Sequence, residues 1–118
     1  MRLSVSGDGI RIGNKLYADI ERRVKFALGR FGPAIRQVVV RVAARNGPRG
    51  GSDKWCRITV ALHGTGSSRV TVNFSDANLY AAIVRACERA ERAIGRAFER
   101  KRTMHAYHRR RAADMGLR

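Results

Sequence analysis

Five arginines in the stretch RACERAERAIGRAFER, at positions 85, 89, 92, 96 and 100, follow one another at intervals of three or four residues. Side chains at that spacing are neighbours on a helix surface, and like charges there repel by roughly a few tenths of a kcal/mol per pair. Folding alone does not select such a row. A guanidinium stays protonated and offers five N–H donors in a planar fork, so it clamps oxyanions, phosphate above all, and does not transfer protons. At about 100° per residue from Leu79, the arginines gather near roughly 260° and Glu88, Glu91 and Glu99 near roughly 165°. Ile83, Ala86, Cys87, Ala90, Ile94, Ala97 and Phe98 gather near roughly 40°, the buried stripe. An ordinary solvated face would intersperse the two signs; here a few attractive pairs such as Glu88 with Arg92 leave most of the arginine sector uncompensated. The row spans about 22 Å at 1.5 Å per residue, enough to follow several phosphates.

Other residues with chemical potential lack partners. GDGIRIG, Gly7 to Gly13, has the spacing GxGxxxG with no parallel βαβ sheet after it, so it reads as a turn and not as a dinucleotide loop. His105 and His108 have no Cys, Asp or Glu at ligand spacing, and His63 falls at a strand end beside a turn, so no metal site is expected. A single Arg-Gly-Gly in NGPRGGSDK is a pattern that chance supplies; an RNA-binding box needs repeats. Trp55 reads as a strand-end packing residue, and base stacking is not assigned to it or to Tyr107. Nine scattered acids form no catalytic constellation. No enzyme activity and no cofactor are expected.

The chain of 118 residues carries 25 Lys and Arg against 9 Asp and Glu, a formal charge of +16 with a pI near 11.6. Self-repulsion on that scale points to a polyanion as partner, RNA or DNA before an anionic membrane. Arginine outnumbers lysine 21 to 4, which fits either bidentate phosphate contacts or a GC-rich genome. Cys56 and Cys87 lie among apolar neighbours and read as buried free thiols, suited to a reducing cytoplasm. No apolar run reaches the ~18 residues of a membrane span, and MRLSVSGDG lacks the apolar region of a signal peptide, so a cytoplasmic protein without a membrane partner is expected.

The elements that must position the arginines follow from periodicity. Leu3 and Val5 alternate with polar residues until Gly7, Asp8 and Gly9, a short strand. Leu16, Ile20, Val24, Ala27 and Leu28 set a helix from about Asn14 until Gly29 and Gly32-Pro33. From Ile35 to Arg45 the period is two, with Val38, Val40 and Val42 on one side and Gln37, Val39, Arg41 and Arg45 on the other. Asn46 to Lys54 reads as a mobile loop. Cys56, Ile58, Val60 and Leu62 define the third strand. It is joined through GTGSS to a fourth, with Val70, Val72 and Phe74 in phase, as a hairpin. The last helix runs from about Asn78 to Lys101 or beyond. The order β-α-β-β-β-α, with one apolar face per strand, predicts an α+β two-layer sandwich: a four-stranded sheet with both helices on one face. One domain is expected, residues 1–102 as the folded α+β unit, followed by 103–118 as a flexible basic C-terminal arm. With both helices on one side, the basic edges of the two are expected to converge on a shared groove. The candidate RNA-binding residues are Arg22, Arg23 and Lys25 on the first helix, with Arg30 just past its end. On and after the last they are Arg85, Arg89, Arg92, Arg96, Arg100, Lys101 and Arg102.

NLYAAI, Asn78 to Ile83, followed by RAERAIGR, Arg89 to Arg96, resembles the start and basic stripe of the last helix in the ribosome hibernation-promoting factors and ribosome-associated translation inhibitor A, the sigma-54 modulation protein family. The resemblance covers about residues 2 to 102 and includes IRIGNKL before the first helix. It implies a factor that docks on the small ribosomal subunit, contacts ribosomal RNA in the messenger and transfer-RNA channel, and blocks initiation while protecting idle ribosomes under stress. Arg89, Arg92, Arg96 and Arg100 then correspond to the family's basic residues in the second helix, Arg23 to one in the first, and Tyr80 to its tyrosine. Phe26 stands where the family often has a second lysine, Gly13 replaces a threonine cap, Val84 replaces a frequent aspartate, and Arg85 is an additional base. The length implies a short form, monomeric off the ribosome, without the dimerisation domain of long members. The competing readings are a free-standing duplex-RNA-binding module and an RNA-processing enzyme. Co-sedimentation with small subunits separates the first from the ribosome factor, and a nuclease assay with divalent metal separates the second.

Overall fold

The structure, a computed structural model, describes residues 1–46, 52–64 and 68–114, the side chains of 46, 52, 101–108 and 111–114 excepted. The Arg-Gly-Gly at 49–51, the turn residues 65–67 and the side chains of His105, Tyr107 and His108 thus lie outside the described residues. The elements are β1 (Arg2–Asp8), α1 (Asn14–Leu28), a 3-10 turn (Gly29–Ala34), β2 (Ile35–Asn46), β3 (Ser52–Leu62), β4 (Arg69–Asp76) and α2 (Leu79–Asp114). The strands form one sheet in the order β1-β2-β3-β4, with β1 parallel to β2 and the other pairs antiparallel. β1, α1 and β2 therefore make a parallel βαβ unit, which corrects the expectation that none follows GDGIRIG: the helix carries the chain back to enter β2 in the direction of β1. This is the expected α+β sandwich, with the β3–β4 hairpin in place.

Alternation decides the layers. Leu3, Val38, Ile58 and Val72, with their in-phase neighbours, turn inward. Val38, Val40, Val42, Cys56, Ile58 and Val60 are fully buried beneath Ile20, Val24 and Leu28 of α1 and Ala82, Ile83, Ala86, Ala90 and Ile94 of α2. No polar side chain is buried among the described residues, so the core makes no demand for internal hydrogen bonding. The thiols follow the same logic. Burial pushes Cys56 up to about 12, with Cys87 nearby adding to the rise, and burial pushes Cys87 up to about 11. Both are free.

The joints explain the breakers. Gly9 adopts φ +72°, and a Cβ on Gly7 would lie 2.3 Å from the Ile10 carbonyl oxygen, so the glycines of GDGIRIG serve a tight exit from β1. Gly13 precedes α1 in extended conformation with no side-chain cap, so Asn14 does not stand in for a capping threonine. Pro33 lies within the 3-10 turn, and Phe31 from that turn meets Phe98 of α2 edge to face, ring centroids 5.2 Å apart. Two boundaries differ from expectation: α2 runs on to Asp114, so residues 103–114 of the expected C-terminal arm continue the helix, and β3 begins early. Ser52, Asp53 and Lys54 belong to β3 and pair with Asn46, Arg45 and Ala44, because the antiparallel ladder extends as far as partners face each other. Among the described residues no helix is long and apolar enough to cross a membrane.

Candidate nucleic-acid interface

The phase of the arginine row is set at the start of α2. Asp76 ends β4 and its Oδ1 accepts a hydrogen bond from the Asn78 N–H at 2.9 Å. Asn78 Oδ1 in turn accepts from the Ala81 N–H at 3.1 Å, capping the helix. With the apolar stripe turned down onto β3 and β4, the arginine sector faces the β4 edge and the glutamate sector faces α1.

Arg89, Arg92 and Arg96 line a groove of about 500 Å³ whose other wall is Thr71, Val72 and Asn73 of β4. Among the described residues no carboxylate lines it. Arg89 donates through Nη1 to the Asn73 carbonyl oxygen at 3.0 Å and its guanidinium lies 4.8 Å from the centroid of the Phe74 ring. Arg89 is thereby held at the groove floor, while Arg92 and Arg96 are exposed and have no ion-pair partner among the described residues. Arg85 differs: it pairs with Glu88 at 3.7 Å and lies 5.9 Å from the Phe74 ring. Arg100 is exposed one turn beyond the groove. Lys101 and Arg102 continue on α2, with side chains outside the described residues.

The basic residues of α1 do not join this groove. Arg22 pairs with Asp19, Lys25 with Glu21 at 3.9 Å, and Arg30 reaches across to Glu91 of α2 at 3.8 Å. Arg23 lies 4.9 Å from the Tyr80 ring centroid, above a mostly apolar cavity of about 230 Å³ that also involves Leu16, Ile20, Leu79 and Ile83. Among the described residues the lining of the arginine groove includes no α1 cation, so the shared groove expected from the two helices is not formed there. Both helices pack on one face of the sheet, but Arg22 and Lys25 pair with acids of α1 itself, and only Arg30, from the turn after it, reaches a glutamate of α2. Phe26, directly after Lys25 at the end of the basic run, is 86% exposed.

Two participants had no sequence signal of their own. Asn73 joins the groove because β4 is an edge strand, and strand order is a property of the topology; alternation alone shows only that Asn73 points outward. Phe74 belongs to the apolar phase, and its contact with Arg85 and Arg89 depends on how α2 crosses β4. Among the described residues no three His, Cys, Asp or Glu come together as a metal site would need.

The sequence profile of the family described as sigma 54 modulation protein / S30EA ribosomal protein matches residues 3–102. The fold is similar to the N-terminal domain of Protein Y from Thermus thermophilus, with TM-score 0.62 and 25% identity over 81% of this chain and 98% of that one. It is also similar in fold to a ribosomal subunit interface protein from Coxiella burnetii, with TM-score 0.69 and 15% identity over 84% of this chain and 99% of that one. No curated protein sequence matches the chain.

Proposed function

The chain belongs to the sigma-54 modulation protein and S30EA ribosomal protein family, which is ribosome-associated, and from that premise we propose that it silences translation by occupying the small ribosomal subunit. The observation that carries this reading is the β4-side groove, where Arg89, Arg92 and Arg96 stand in a row with no carboxylate among the lining residues. A ribosomal RNA backbone laid along the row meets fixed cations, and each neutralised phosphate releases counterions, which supplies affinity without sequence readout. Arg89 is pre-positioned by Asn73 and Phe74, so little of its side-chain freedom is left to lose on binding. Arg100 extends the row by one turn, and Lys101 and Arg102 add charge next to it in the chain. Residues 103–118 add further positive charge. Arg22, Arg23 and Lys25 form a second, weaker contact, since Asp19 and Glu21 remain beside two of them and repel phosphate.

The mechanism is occupancy. A protein clamped in the channel used by messenger and initiator transfer RNA excludes them and leaves the RNA covalently unchanged, because guanidinium groups hold charge and do not move protons. It acts in the cytoplasm as a single copy before it meets the ribosome, and needs no cofactor. The test is a cell-free translation reaction with purified ribosomes. Inhibition is expected to rise in proportion to protein until one copy per ribosome, to be relieved by salt or excess initiator transfer RNA, and to leave ribosomal RNA intact. Complete inhibition far below one copy per ribosome, or cleaved RNA, overturns it. Equal affinity for isolated RNA duplexes and for small subunits would favour a general duplex binder instead.

A further inference from the structure

The solvent face of the sheet repeats the anomaly of the arginine row. Alternation and register place Arg2, Arg41, Arg45, Arg57 and Arg69 on that face, all exposed. Its acids, Asp8 and Asp53, lie at one end, Asp8 beside Ala43 and Asp53 opposite Arg45. The row Ser6, Arg41, Arg57, Asn73 holds none. There Arg41 and Arg57 are direct cross-strand partners, an arrangement that destabilises a sheet when the charges are alike.

Two contacts tie this face to the groove. Arg57 donates through Nε to Asn73 Oδ1 at 3.0 Å, and the carbonyl oxygen of the same Asn73 accepts from Arg89 at 3.0 Å. One residue of the edge strand thus anchors an arginine on either side of the sheet. Arg57 also lies over Trp55, 4.6 Å from the ring centroid, and Arg45 covers the same indole at 4.4 Å, so that Trp55 is only 8% exposed. With its Nε given to Asn73, Arg57 has its Nη N–H groups left to offer an oxyanion.

We propose that the nucleic-acid surface turns the β4 edge and continues over the outer sheet face, where Arg41, Arg57 and Arg69 receive phosphates from a further stretch of RNA backbone. The proposal rests on the reading of the α2 groove as a ribosomal RNA contact. The occupant follows from charge complementarity. Arg41 and Arg57 face each other across β2 and β3, one strand spacing of roughly 5 Å. Arg69 lies on β4 four residues, roughly 13 Å, along the strand from the position opposite Arg57, so the three mark a diagonal path over the sheet. A phosphate backbone crossing the strands meets them in turn with no acid in the Arg41–Arg57 row.

The experiment compares R41Q/R57Q with R89Q/R92Q/R96Q for binding to purified small ribosomal subunits across a salt series, with thermal melting to verify folding. The sheet-face double variant is expected to melt close to the parent, since the like-charge repulsion it removes offsets the Arg57 contacts with Asn73 and Trp55 that it loses. It should also flatten the slope of log affinity against log salt by roughly 1.4–1.8, two contacts at about 0.7–0.9 each. If the triple variant flattens the slope and the double does not, the sheet face is no contact and the groove reading stands. If neither flattens it, both readings are overturned. If the double weakens binding to intact subunits but not to protein-free ribosomal RNA, the occupant is an acidic protein segment and the proposal is likewise overturned.

Discussion

The two helices carry comparable runs of cations in different electrostatic settings. On α1 and the turn after it, Arg22, Lys25 and Arg30 each face a carboxylate, from Asp19, Glu21 and Glu91 respectively. On the β4 side of α2, Arg92 and Arg96 face none among the described residues, and Arg89 is held by a carbonyl and a phenyl ring. Exposed ion pairs contribute about 0–1 kcal/mol each, so the α1 pairs add little to stability. Their effect is on the field: Asp19 and Glu21 offset two of the four cations of α1, Lys15, Arg22, Arg23 and Lys25, and lower its net charge to +2, whereas no carboxylate lines the β4-side groove among the described residues. Charge count alone therefore misplaces a binding surface; what matters is which cations have their counterion inside the protein.

The sharpest way to break this contrast is the R89Q/R92Q/R96Q variant. It is expected to keep its fold, because the arginine sector faces away from the apolar stripe, and to flatten the salt dependence of subunit binding by roughly 2.1–2.7 log units per decade of salt. The matched variant R22Q/K25Q on α1 should flatten it by less than one contact's worth, roughly 0.7, when measured in the same titration. An equal or larger change would make the α1 ion pairs irrelevant to binding and erase the distinction. Glu91→Gln runs the comparison in reverse: it releases Arg30 and should tighten binding slightly, by about fivefold or less at low salt, an upper value set by the worth of one exposed pair.

The smallest effect concerns pH. Arginines keep their charge to high pH, so binding should stay level through neutrality and change only when the core does. The folded-state values of Cys56 and Cys87 lie above their ordinary value of 9.0, at about 12 and about 11. The unfolded chain therefore releases these protons first. Stability from the buried neutral thiols is complete below pH 9.0 and declines as pH rises toward 11 and 12. Melting temperature and subunit affinity should fall together in that window and not before it.

Most of the fold was legible because each element has an unbroken period. Val38, Val40 and Val42 fix one face of β2, and the step from Leu79 through Ile83, Ala86 and Ala90 to Ile94 fixes α2. The β3 start was not legible, since Ser52, Asp53 and Lys54 read as breakers while their strand geometry comes from partners on β2. In the site, the arginine row and its segregation from the glutamates followed from helix geometry. The side toward which each sector turns did not, because it depends on α2 lying over β3 and β4 with α1 on the other flank. Trp55 shows the same limit: its alternation marks a strand residue, whereas its cover comes from Arg45 on a different strand, brought close by register.

The bond between Arg89 and the Asn73 carbonyl has a further consequence. β4 is an outer strand with one side of its backbone unpaired, and such a row of amides and carbonyls is a template on which a second chain can add a strand. Arg89 occupies one of those carbonyls, and Arg92 and Arg96 surround the rest with charge that another copy of the same basic protein would have to approach. The groove is thus also a guard against self-assembly while the protein is unbound. Neutralising the row removes a gatekeeper along with a ligand contact, so R89Q/R92Q/R96Q should be more prone than the parent to concentration-dependent association, visible by light scattering at low salt before any ribosome is added.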